Sequence, residues 1–271
     1  LLKMDFLGLR TLTVIRDTLD MLREAGVDMK AEDIPMDDPG VYEMISSGDT
    51  DGVFQLESGG MRSFLANMKP SCFEDIIAAI SLYRPGPMES IPRYIAGKND
   101  PSTVRYKDER LRPILDVTYG CMVYQEQVMQ IVRDLAGYSL GRSDLVRRAM
   151  AKKKKDVMAQ EREYFIHGLE ENGKIIVPGA VRNGVPESVA VSIFDEMTAF
   201  ASYAFNKSHA TGYAIVAVQT AWLKLHYPVQ FMAAMMNSFT SNNGKIAQYI
   251  QYCRKSGISV LAPHVNKSRG K

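Results

Sequence analysis

Apolar positions along this chain recur mainly at helical spacing, and a clear two-residue alternation appears at the N-terminal end. Residues 1–6 place Leu1, Lys3 and Asp5 on one face and Leu2, Met4 and Phe6 on the other, which predicts a strand. A helix is expected next, because Leu12, Ile15, Leu19 and Leu22 form one stripe that Gly26 closes. "DDPGVYEMI" offers Asp38 as an N-cap ahead of Pro39 at the first helical position. "SCFEDIIAAISLY" has the capping-box spacing, Ser71 with Glu74 three residues on, and "RPGP", Arg84 to Pro87, must end the helix it opens. "GCMVYQEQVMQIVRDLAGYS" predicts a short buried strand running into a helix that stops near Gly137. Residues 141–173 predict two helices, or one bent helix, with a lysine run near the junction. Further helices are expected from Pro186, over 211–227 up to Pro228, and over 229–239 and 245–257; residues 258–263 read as a final short strand. The expected fold class is mainly α, with short β pieces near both ends.

Composition adds little to this picture: 46% of the 271 residues are hydrophobic and 24% charged, enough to bury one or two ordinary cores. The net charge of +2 conceals an uneven distribution. Twelve acidic residues face two basic ones between Asp17 and Glu57, whereas eight basic face three acidic between Arg142 and Arg162. That asymmetry suggests a polyanion partner for one face, the plain alternative being a solvated charged helix. Cys72, Cys121 and Cys253 are isolated, so neither a zinc knuckle nor a disulfide framework is readable, and a reducing cytosol is expected. No run reaches the roughly 18 apolar residues of a membrane span, and no signal peptide opens the chain. It begins on "LLKMDFLGLR" without an initiator Met and stops at "LAPHVNKSRGK", as expected of a piece of something longer.

Three clusters offer chemistry. Asp5 ends the predicted strand with Lys3 on its face, and a carboxylate fixed there suits a divalent-ion site, although a strand-end Asp more often caps or pairs. "LVRRAMAKKKK" sets Arg147 and Arg148 about one turn before Lys152 and Lys153, so that part of the set can share a helix face; guanidinium forks bind phosphate bidentately and lysines add point charge. One of the two arginines is open to simple pairing with an acidic neighbour. "FNKSHATGYA" gathers Asn206, Lys207, Ser208 and His209 where an apolar helix begins. Free N–H groups and the positive dipole end would there make an anion site, whereas Ser208 as a plain N-cap explains Ser208 alone. A P-loop, a dinucleotide loop and a histidine metal pair have no matching spacing. Tyr124 in "VYQEQ" could stack on a base, with a buried, hydrogen-bonded tyrosine as the commoner outcome.

With these stretches in view, the chain resembles the bacterial replicative DNA polymerase III alpha subunits, the C-family polymerases. "KMDFLGLRTLT", "GVFQLES", "RPGP", "YQEQVMQI", "RRAMAKKK", "FNKSHATGYA" and "LKLHYPVQFMAA" look like that family's blocks, in its order. The resemblance implies that residues 1–8 are the last palm strand and residues 9–271 a helical fingers domain, incomplete at its C-terminal end. It implies template-directed nucleotidyl transfer from a dNTP to a primer 3′-hydroxyl, with two Mg²⁺ ions. Asp5 would be the third metal-binding aspartate, Lys3 its active-site neighbour, and the other two aspartates would lie upstream, leaving this piece alone inactive. Arg147, Arg148, Lys152 and Lys153 would meet the triphosphate, Asn206, Lys207, Ser208 and His209 would face the same pocket, and Arg84, Tyr124 and Gln125 would lie near it. Primer–template DNA, the incoming dNTP and the rest of the subunit and holoenzyme are the implied partners, with no membrane, in the bacterial cytoplasm. A non-catalytic helical module that binds nucleic acid or another polyanion is the alternative function.

Overall fold

In the computed structural model, residues 8–152, 155–201, 203–266 and 268 are described. The α-helices, in chain order, are α1 (Arg10–Glu24), α2 (Pro39–Ser47), α3 (Gly59–Met68), α4 (Phe73–Leu82), α5 (Ile91–Asn99), α6 (Arg112–Leu115), α7 (Gln125–Ala136), α8 (Leu140–Ala151) and α9 (Lys155–His167). The strands β1 (Leu169–Glu171) and β2 (Lys174–Val177) follow, then α10 (Glu187–Ala201), α11 (Lys207–His226), α12 (Pro228–Ser238) and α13 (Asn243–Lys255). The mainly α expectation holds. None of the described helices is long and apolar enough to cross a membrane.

The chain divides into two compact units, one from residues 1–73 and 212–271 and the other from residues 74–211. In the first, α1 packs on α12, α2 on α3 and α12 on α13. Local signals set the ends of these helices. Asp38 accepts the Gly40 N–H at 2.9 Å with Pro39 at the first position of α2, and Asn242 accepts the Lys245 N–H at 3.0 Å to open α13. The buried stripe of α1 is Val14, Ile15, Thr18, Leu19 and Leu22; Leu12, counted in the expected stripe, is 51% exposed. Core packing therefore centres that face one position away from the simplest reading. In the same unit Lys224 is buried, its ammonium donating to the Asp49 carboxylate at 2.7 Å and carbonyl at 2.9 Å, 4.4 Å from the Tyr252 ring centre.

In the second unit α7, α8, α9 and α10 enclose a core that includes Leu135, Val146, Phe165 and Phe194, the two phenylalanine rings 5.4 Å apart. Residues 121–124 are buried as expected, but the expected strand is reduced to an isolated parallel bridge between Tyr124 and Phe205. Strand β1 and the turn of the antiparallel hairpin β1–β2 lie where helix was expected to continue, and β2 follows directly after that stretch. Asn172 and Gly173 sit at φ 51° and 71°, the left-handed pair that a two-residue hairpin turn requires, so "EENGKIIV" had a strand signal of its own. Residues 258–263 form no strand: none of the described strands pairs with them, and the Ile258 N–H instead caps α13 on the Cys253 carbonyl at 2.8 Å. The expected strand at residues 1–6 falls outside the described residues.

Candidate functional site

Within the second unit, four separated stretches meet around residues 203–209. The first is the turn after α4. Gly86 adopts φ 103°, and a Cβ there would lie 2.2 Å from the Tyr203 ring, so only glycine lets that ring close on the "RPGP" turn. Two residues earlier the Arg84 guanidinium sits 4.4 Å from the centre of the Phe205 ring, a cation–π contact.

The second is the start of α7. Main-chain bonds from Gln125 N–H to the Phe205 carbonyl (2.9 Å) and from Phe205 N–H to the Val123 carbonyl (3.3 Å) tie the two segments together. The Gln125 side-chain amide adds a donation to the Ala204 carbonyl at 3.1 Å. Gln127 is buried with its amide fully used: its oxygen accepts the N–H groups of Val123 and Tyr124, and its nitrogen donates to the Ile114 carbonyl and Thr118 hydroxyl. That buried amide fixes the direction in which Gln125 and Glu126 leave the helix. Tyr124 is 1% exposed, and its hydroxyl has no hydrogen-bond partner among the described residues. Burial first, then the nearby Glu74 and Asp75 carboxylates, push its phenol far above the ordinary range. It is thus a platform beneath Lys207, whose ammonium lies 5.3 Å from the ring centre.

The third is the start of α11. The helix begins at Lys207 with Asn206 as its cap, the Asn206 side-chain oxygen accepting the His209 N–H at 2.8 Å. Asparagine at 206 therefore replaces the serine considered for that role. The Glu126 carboxylate accepts the Lys207 N–H through both oxygens, at 3.1 and 3.0 Å, and the Asn206 amide at 2.9 Å. Much of the helix N-terminus is thus already satisfied by protein groups, one of them an anion, rather than left open. Neither the N–H nor the hydroxyl of exposed Ser208 has a partner among the described residues. The Lys207 ammonium pairs with Glu74 at 3.0 Å. His209 turns its ring edge to Phe205 at 5.5 Å.

The fourth is α8. Arg147 donates Nε and one terminal nitrogen to Asp144 Oδ1, at 2.9 and 2.7 Å, and the other terminal nitrogen to the Gln125 side-chain oxygen at 2.9 Å. Arg148 pairs with the second oxygen of Asp144. Both arginines, not one, therefore share an acidic neighbour. The hydrogen bond from Arg147, then that from Arg148, holds the Asp144 carboxyl below the usual range. Lys152 follows the last residue of α8, exposed, with its N–H still on the Arg148 carbonyl at 3.1 Å.

Arg147 and Lys207 are thus joined through the adjacent pair Gln125 and Glu126, with Arg84, Tyr124, Asn206 and His209 in the same network. Lys3, Asp5 and Lys153 lie outside the described residues. Among those described, no group of three or more His, Cys, Asp or Glu is arranged to hold a metal ion. The reading of cations missed two acids, Glu74 and Glu126, and allowed an acidic neighbour to only one of the arginines where Asp144 serves both. For Asp144 the signal was present, since an acid three and four residues before two arginines is an ordinary helix pairing. Glu126 and Glu74 meet partners 81 and 133 residues away, which no local spacing reveals.

Residues 11–173 match the family described as the bacterial DNA polymerase III alpha subunit finger domain. The DNA polymerase III subunit alpha of Thermus aquaticus is 50% identical over 274 residues, 99% of this chain and 22% of that protein. The corresponding subunit of Staphylococcus aureus strain COL is 45% identical over 269 residues, 99% of this chain and 24% of that protein. The chain spans about a quarter of the length of these curated relatives.

Proposed function

The chain belongs to the family of bacterial DNA polymerase III alpha subunit finger domains, and from that premise we propose that it holds the triphosphate of an incoming dNTP during template-directed DNA synthesis. The single observation behind this reading is the joining of Arg147 and Lys207, from distant stretches, through Gln125 and Glu126. Arg147 and Arg148 would turn guanidinium edges to phosphate oxygens, and Lys152 and Lys153 would add charge beside them. Lys207, over the Tyr124 ring, would meet the same tail, and the unpartnered hydroxyl and N–H of Ser208 suit a phosphate oxygen. Asn206 and His209 would hold the mouth of α11, with Arg84, Tyr124 and Gln125 fixing the segment that leads into it. Held by Asp144, Gln125 and Glu126, Arg147 and the start of α11 would meet the charge that grows as pyrophosphate leaves with donors already oriented.

In this reading the primer 3′-hydroxyl attacks the α-phosphate, and Asp5 with Lys3 belongs to the reacting centre. Mg²⁺, with Asp5 as one ligand, is proposed on the family likeness, its chemistry being to screen phosphate charge and lower the pKa of the attacking hydroxyl. Primer–template DNA, the dNTP and the rest of the alpha subunit and holoenzyme are the proposed partners, in the bacterial cytoplasm.

Steady-state primer extension with a full-length alpha subunit carrying these residues tests the assignment. Arg147→Ala and Lys207→Met are each expected to raise the KM for dNTP by about tenfold to a hundredfold, the loss of one charge-assisted contact of about 1.5–3 kcal/mol. An unchanged KM in both variants removes the triphosphate from this pocket. Duplex binding that falls steeply with salt and ignores both substitutions would favour a plain polyanion-binding module instead.

A further inference from the structure

Three carboxylates of the same unit hold the donors that a triphosphate would approach. Asp144 holds Arg147 and Arg148, Glu74 holds the Lys207 ammonium, and Glu126 holds the Lys207 N–H and the Asn206 amide. The three carboxylates are not equivalent. An arginine has five N–H donors, so Arg147 and the 65% exposed Arg148 can admit a phosphate oxygen beside Asp144. The Lys207 ammonium ends a flexible stem and can swing from Glu74. The Lys207 N–H is a single donor fixed in the backbone at the first residue of α11, and it cannot serve Glu126 and a phosphate together.

We propose that Glu126 is a positioning residue, a built-in counter-anion that holds the N-terminus of α11 in its binding geometry and competes directly with the incoming phosphate. The inference rests on the triphosphate reading of this pocket. Glu126 follows Gln125, which orients Arg147, so two adjacent residues on the first turn of α7 set both cationic sides of the site. As an anion, Glu126 also repels the phosphates whose place it keeps. Affinity is thereby traded for a pocket that does not have to assemble on binding.

Glutamine separates charge from geometry. Glu126 Oε1 alone already accepts both the Asn206 amide and the Lys207 N–H, so a Glu126→Gln oxygen at that place keeps both acceptor roles once the side chain turns its NH2, which replaces Oε2 at 3.0 Å from the same N–H, away from that donor. In a full-length alpha subunit carrying these residues, equilibrium binding of tripolyphosphate and of dATP is the measurement, with thermal melts as the folding control. Glu126→Gln is expected to bind both probes roughly threefold to tenfold more tightly at low salt, with the gap closing towards 1 M salt as screening shortens to about 3 Å. Glu126→Ala, which loses the bonds as well, is expected to bind less tightly than Glu126→Gln. Equal or weaker binding by Glu126→Gln at low salt overturns the counter-anion role, and equal binding by the two variants overturns the positioning role. Absence of binding of either probe by the parent subunit overturns the triphosphate reading itself.

Discussion

The Arg84 guanidinium lies 4.4 Å from the centre of the Phe205 ring, so the turn that ends α4 and the segment that opens α11 share one cation–π contact. At an exposed site such a pair contributes about 0.5–1 kcal/mol. A double-mutant cycle with Arg84→Met and Phe205→Leu, measured by urea unfolding, is expected to return a coupling of that size. Strictly additive effects would mean that the two side chains are merely neighbours.

Gly86 should accept no side chain. Gly86→Ala meets the Tyr203 ring and forces a residue with a Cβ into φ 103°, at an expected cost of about 2 kcal/mol. Urea unfolding should register the loss, and a variant as stable as the parent would show that the turn has another conformation available.

The Asp144 carboxyl, lowered first by Arg147 and then by Arg148, gives the unit an acid-sensitive contact. A group with a depressed folded pKa contributes stability above its unfolded value, about 3.9 for aspartate, and loses it as pH falls through the lower folded value. Urea melts between pH 3 and 7 should therefore show a flatter acid limb in Asp144→Asn than in the parent, and parallel curves would contradict the pairing.

Buried Lys224 supplies a prediction for the other unit. Its ammonium has both the carbonyl and carboxylate of Asp49, and the Asp49 side chain is 46% exposed, so water can replace part of what is lost. Lys224→Ala is expected to cost about 2 kcal/mol, below the usual cost of breaking a fully buried pair, with Lys224→Met losing less because its side chain refills the space of the buried lysine stem. A midpoint shift in denaturant at unchanged slope is the expected readout.

Local chemistry made some of this legible. Asp38 before Pro39 marked the start of α2, and Gly137 the end of α7, because a cap and its helix are neighbours in sequence. The mainly α character followed from spacing alone. The hairpin at Asn172–Gly173 was legible but lay inside a stretch read as helix, and residues 258–263 had an apolar run without any partner strand among the described residues. At the site, Arg147, Asn206 and Lys207 stood out by side-chain type. What held Asn206 and Lys207 did not, because Glu126 and Glu74 bind across long sequence separations, and a carboxylate in the first turn of a helix is commonplace.

The joint between Val123–Gln125 and Ala204–Phe205 is made largely of peptide groups: two bonds run between backbones, and the third ends on a backbone carbonyl. Ala204 could thus exchange its methyl group during evolution without loosening the joint. Gln125 and Glu126 have no such freedom, since each acts through the end of its own side chain. Drift should therefore accumulate at Ala204 and stall at Gln125, Glu126 and Phe205, whose ring carries the contact with Arg84.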